Sequence, residues 1–181
     1  TRAADIIHEL EGLTNNDSAM YELYAYAAMA NNDYQQAINH YKASLSIRET
    51  ANNLYNIANA YRYYGNNELA KSYAEQALTL SPNLHQANSL LGFIALLSGN
   101  IDHAISSFEK AVKQNPSDIS NLTHLGLSNL LKPDYAEAKK MFGAALKISP
   151  DNTTILLKQA DAENLQGNMS ESKNLYEKII S

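Results

Sequence analysis

Three prolines, Pro82, Pro116 and Pro150, stand 34 residues apart in a chain that has only 4 prolines in all. Proline lacks a backbone N–H and clashes with the preceding helical turn, so each of the three ends whatever helix precedes it. An interval of this size, kept twice in succession, means that one supersecondary unit is copied along the chain. Each copy is too small to bury a core alone and must stack on its neighbours. With 181 residues there is room for about five copies.

Other residues keep the same interval. Ala77, Ala111 and Ala145 each stand five residues before a proline. Ala104 and Ala138 stand four residues before Phe108 and Phe142, one helical turn apart. The pairs Gly65-Asn66, Gly99-Asn100 and Pro133-Asp134 mark turns, and Leu91-Gly92 and Leu125-Gly126 recur earlier in their copies. Glycine or asparagine suits the left-handed position that ends a helix, which assigns that role to Gly65, Gly99 and Gly167. Only 7 glycines are present, too few for the turns of a many-stranded fold, so the chain reads as all-helical. The spacing predicts helices over 19–31, 34–47, 51–64, 67–80, 84–98, 101–114, 118–131, 135–148, 152–166 and 169–180. A further amphipathic helix is expected over residues 2–13, carrying Ile6, Ile7, Leu10 and Leu13.

Leu-Gly, then Ala-x-x-x-Phe, then Ala, then Pro at a 34-residue period resembles the tetratricopeptide repeat (TPR) family. The copies beginning near His85 and Ile119 match at every one of these positions. The copy beginning near Ala51 keeps Tyr61, Ala70, Ala77 and Pro82, with Ile57-Ala58 in place of Leu-Gly and Ala74 in place of the aromatic residue. The copy from Ser18 carries Ala37 and Tyr41 but has Glu49 where proline falls elsewhere. In the copy from Thr153, which carries Ala160 and Tyr176, Gln159, Glu163 and Ser172 depart from the pattern.

The resemblance implies an all-α fold, a right-handed α-solenoid of antiparallel helix pairs (a TPR superhelix) with about five repeats plus an N-terminal helix. Residues 1–17 would be a truncated repeat or cap. Residues 18–181 would form the array, in units of about 18–50, 51–84, 85–118, 119–152 and 153–181. Gly92 and Gly126 are expected to face Ala104 and Ala138 so that two helix backbones approach closely. Phe108, Phe142, Tyr41 and Tyr176 would fill the space beside them.

In TPR proteins the first helix of each pair lines a concave groove that holds a partner peptide. By position the resemblance nominates Tyr26, Tyr55, Asn56, Asn59, Arg62, Tyr63, Phe93, Leu96, Leu97, His124 and Leu127. Ten of the 12 tyrosines lie between Tyr21 and Tyr73, so the groove is expected to have a polar aromatic half and an apolar half. Aromatic side chains are strong interface anchors, and Phe93 is the leading single candidate. Tyr41 and Tyr61 fall at interior positions. Some family members clamp a C-terminal carboxylate with lysine, arginine and asparagine. Asn56, Asn59 and Arg62 supply only part of that set, and Glu22 and Tyr26 occupy the corresponding places in the first copy.

The residues argue against other classes of function. The balance of 14 basic to 19 acidic residues, a net charge of -5, lacks the basic excess of a nucleic-acid binder. Cysteine is absent, which removes disulfides, thiolate metal sites and cysteine nucleophiles. The five histidines, His8, His40, His85, His103 and His124, form no metal-binding spacing. No phosphate-binding glycine loop and no serine-nucleophile motif occurs, and no apolar run is long enough to span a bilayer. The expectation is a non-catalytic scaffold that binds a protein or peptide partner, with no metal and no cofactor. It would be soluble, either cytoplasmic or bacterial periplasmic, and able to self-associate through its terminal helices. Thr1 stands where an initiator methionine would. One alternative is therefore a regulatory or sensor domain excised from a transcription regulator or kinase, and another, implied by the resemblance, is a bacterial envelope or pilus assembly factor.

Overall fold

The computed structural model describes residues 17–180. Ten α-helices and no strands occur among them: α1 (Ser18–Ala30), α2 (Tyr34–Ile47), α3 (Ala51–Tyr64), α4 (Asn67–Leu80), α5 (His85–Leu97), α6 (Ile101–Gln114), α7 (Ile119–Leu131), α8 (Tyr135–Ile148), α9 (Thr153–Gln166) and α10 (Met169–Ile180). Each boundary falls within one residue of its sequence expectation. The expected helix over 2–13 lies outside the described residues. The chain forms two compact units, Thr1–Leu90 and Leu91–Ser181, divided inside α5.

One turn design closes the hairpins. In the N-terminal unit the amides of Asp33 and Asn66 reach back to the carbonyls of Ala28 and Tyr61, each at 2.9 Å. In the C-terminal unit Asn100, Asp134 and Asn168 do the same to Ala95, Asn129 and Glu163, again at 2.9 Å. This bond closes a helix end only when a residue before it turns left-handed. Gly65, Gly99 and Gly167 do so at φ of 90°, 74° and 90°, and Asn32 does so at 60°. The residue that closes the first helix also caps the second. Side-chain oxygens of Asp33, Asn66, Asn100 and Asp134 accept the amides of Gln36, Leu69, His103 and Glu137 at 3.0–3.2 Å. Each such cap contributes about 1 kcal/mol.

Packing differs between the units. In the C-terminal unit Phe108 and Phe142 are fully buried among Leu122, Leu125 and Ile155. A Cβ on Gly92 would lie 2.9 Å from the Phe108 ring, and one on Gly126 only 2.6 Å from Phe142. The phenylalanine rings expected beside these glycines are the side chains that press onto them. In the N-terminal unit the equivalent places hold Ala58 and Ala74, both fully buried, so an alanine pair replaces glycine and phenylalanine. The core there gathers Leu54, Ala77 and Ala87.

Each unit also buries a polar junction. In the N-terminal unit Ser44 Oγ lies 3.0 Å from Ser18 Oγ, accepts Asn53 Nδ2 at 2.8 Å and donates to Glu22 at 3.2 Å, tying α1, α2 and α3 together. In the C-terminal unit Glu163 departs from the repeat pattern yet sits inside a complete α9. Its Oε2 pairs with Lys139 Nζ at 3.0 Å and accepts Asn168 Nδ2 at 2.6 Å. Burial of Glu163 is tolerated because both partners satisfy its charge.

Candidate functional site

Helical spacing gathers the tyrosines of the N-terminal unit. Tyr26, Met29 and Ala30 share one face of α1, and Tyr55, Asn59 and Tyr63 recur every four residues along α3. Together with Asn56 they surround a pocket of about 460 Å³. Asn32, Tyr34 and Tyr41 line it too, and the groove pattern nominates none of them. Asn32 belongs to the turn after α1, Tyr34 opens α2, and Tyr41 lies about two turns further along α2.

Individual contacts order this pocket. The Tyr34 ring stacks on Tyr63 at 5.5 Å and 18°, and its hydroxyl donates to Asn32 Oδ1 at 2.8 Å. Arg62 lies with its guanidinium 3.8 Å from the Tyr63 ring centre, and its Nε and Nη2 each donate to Asn59 Oδ1 at 3.3 Å. Arg62 is thus engaged beside the pocket and is not part of its lining. Tyr41 is buried, as its interior position implied, and it also forms part of the pocket wall. Burial pushes its phenol up to about 12, with Tyr26, Glu22 and Tyr55 adding to the effect. Burial also raises the Tyr55 phenol, against the opposing charge of Arg62. Tyr26 is 70% exposed and Tyr63 50%, so the rim is open to solvent.

The nominated residues of the C-terminal unit are arranged differently. Phe93 meets His124 edge-on at 6.0 Å, and His124 stacks on the buried Phe108 at 5.3 Å and 11°. Phe93, Leu96 and Leu127 are half-buried against the core, so each spends part of its surface on packing. His124 Nδ1 is 3.3 Å from Ser120 Oγ, and burial lowers its pKa from the usual value. Leu97 stays exposed, as do Leu131 and Leu165 at the matching ends of α7 and α9. Leu165 was not nominated, although the 34-residue interval from Leu131 points to it.

Among the described residues no three His, Asp or Glu side chains gather closely enough to hold a metal ion. No helix among them is long and apolar enough to cross a membrane.

Repeated helix hairpins with exposed aromatic and aliphatic side chains on their first helices define a helical-repeat interaction scaffold. One tetratricopeptide-repeat model matches residues 55–119, and a second matches residues 18–50 and 119–152. The chain belongs to the tetratricopeptide repeat family, whose fold is all-α and whose members are typically non-catalytic scaffolds for protein or peptide partners. It is similar to the BBSome complex member BBS4 of Bos taurus, at 26% identity over 96% of this chain. The match spans 36% of that relative's length. Among solved structures, MamA superposes with a TM-score of 0.81 at 17% identity, covering 92% of each chain. YrrB, described as a TPR protein with an unusual peptide-binding site, superposes with a TM-score of 0.76 at 19% identity. That match covers 99% of this chain and 91% of YrrB.

Proposed function

We propose that this chain docks a segment of a partner protein on the first helices of its hairpins, with each unit offering its own surface. The observation that carries this reading is the open tyrosine pocket of the N-terminal unit. Its rim tyrosines are exposed where burial against a partner would gain area, while its inner phenols are already held in place. In the C-terminal unit the exposed Leu97 and Leu131, beside the half-buried Phe93, would supply aliphatic contact. The similarity to a subunit named as a complex member supports a partner that is itself part of a larger assembly.

The reading is tested by placing a photo-crosslinking residue at position 26 and, as a control, at the exposed position 75 of α4. The affinity of the captured partner is then compared across variants. Tyr26→Ala and Leu97→Ala together are expected to weaken binding by about tenfold or more, the loss of one or two anchors. Glu75→Ala is expected to leave it unchanged. Equal affinity for all three proteins, with crosslinks only from position 75, would overturn the proposal.

A further inference from the structure

We propose that the tyrosine pocket of the N-terminal unit receives a basic side chain, the ammonium of lysine or the guanidinium of arginine, presented by the docked segment. This rests on the docking reading and adds the chemistry of the partner.

The lining consists only of tyrosine, asparagine, methionine and alanine, so no formal charge stands within it. An anion entering the pocket would find no countercharge in the wall. A cation would find the rings of Tyr26, Tyr34, Tyr41 and Tyr55, since Tyr34 and Arg62 already lie against the Tyr63 ring; aromatic faces are electron-rich and attract positive charge. The raised phenols of Tyr41 and Tyr55 stay protonated at neutral pH, so they bring no phenolate charge to the pocket. Met29 and Ala30 give the methylene stem of such a side chain an apolar wall.

Two further observations point the same way. Among the described residues, 17–90 hold 4 basic against 6 acidic residues, and 91–180 hold 9 against 10. The unit with the pocket thus carries the larger negative excess, and such a field draws cations toward it. One of the unit's own cations already uses a tyrosine ring, the Arg62 guanidinium 3.8 Å from the Tyr63 ring centre, while Lys42 Nζ donates to the Tyr61 hydroxyl at 2.7 Å. Arg62 opposes an incoming cation at the rim, so its removal gives the proposal a sign that can be checked.

The test titrates the full chain, with ¹³C-labelled tyrosine rings, against four probes followed by NMR. These are choline, its neutral isostere 3,3-dimethylbutan-1-ol, N-acetylarginine amide and acetate. Choline and the arginine amide are expected to shift the pocket tyrosines saturably, with the isostere about tenfold weaker. Arg62→Gln is expected to tighten choline binding severalfold, and Tyr26→Leu, at an exposed position, to weaken it. The proposal is overturned if the isostere matches choline, if no probe shifts these rings, or if acetate binds and Arg62→Gln abolishes that binding. The last result would make the pocket a carboxylate site. If partner affinity falls in the Tyr26 and Leu97 variant while choline shows no preference, docking stands and the cation reading fails. If choline is selected but partner affinity ignores the groove substitutions, the docking reading fails.

Discussion

In the C-terminal unit a glycine on one helix faces a buried phenylalanine on the next, Gly92 with Phe108 and Gly126 with Phe142. In the N-terminal unit the same places hold Ala58 and Ala74, and the large aromatic side chains are instead tyrosines, several of them around an open pocket. Both arrangements satisfy one backbone turn and one helix-pair geometry. Their difference shows that the crossing accepts residue pairs of quite different volume, provided that each is fully packed. At Ala58 and Ala74 an alanine pair closes the crossing without an aromatic ring, whereas Tyr41 keeps the aromatic position in the first copy, buried and also lining the pocket.

Breaking the C-terminal arrangement should have the largest effect. Phe142→Ala removes a fully buried ring and is expected to cost about 3–5 kcal/mol, read from urea or thermal unfolding. Gly126→Ala adds a methyl group 2.6 Å from that ring and should cost about 1–3 kcal/mol, even though alanine favours the helix. Combining the two changes imitates the N-terminal pair, and the total should fall clearly short of the sum. Additive costs would show that ring and glycine do not share one space. The reverse transplant sharpens the comparison. Ala74→Phe should cost about 1–3 kcal/mol alone, and less in a chain that also carries Ala58→Gly.

The buried polar junctions can be compared too. Glu163→Ala leaves Lys139 without its carboxylate and is expected to cost about 1–3 kcal/mol, reduced by the partial exposure of the lysine. The smallest effect concerns pH. Burial holds the His124 imidazole below its ordinary 6.5, so the unfolded chain takes up the proton more readily than the folded one. The contribution of this residue is complete above about pH 6.5 and is lost as the pH falls through the lowered native value. Urea midpoints compared from roughly pH 7.5 to 5 should fall less steeply in His124→Leu than in the parent chain. Equal slopes would remove the residue from the pH response.

The helix boundaries were legible because their signals are local. A left-handed glycine or asparagine, a capping side chain and a proline act within a few residues, and each recurs at a fixed interval. The rim of the pocket was partly legible, since Tyr26, Tyr55, Asn56, Asn59 and Tyr63 follow helical spacing on first helices. Tyr34 and Asn32 were missed because the groove pattern considers first helices only, while the turn brings the start of α2 beside the end of α1. The Arg62–Tyr63 contact was also hidden, because adjacent residues on a helix do not ordinarily face each other. Phe93 reads as the leading anchor from its position on a first helix. Its half-burial follows from His124 and Phe108, whose rings lie 31 and 15 residues further along the sequence.

The turn that closes each hairpin joins an amide to a carbonyl only five residues earlier. A contact so short in sequence carries little loop-closure entropy, and each hairpin can form before its neighbours do. Any hairpin can therefore seed folding, and structure can spread along the chain in either direction. Adding a further 34-residue copy would lengthen the array without introducing a new topology to search.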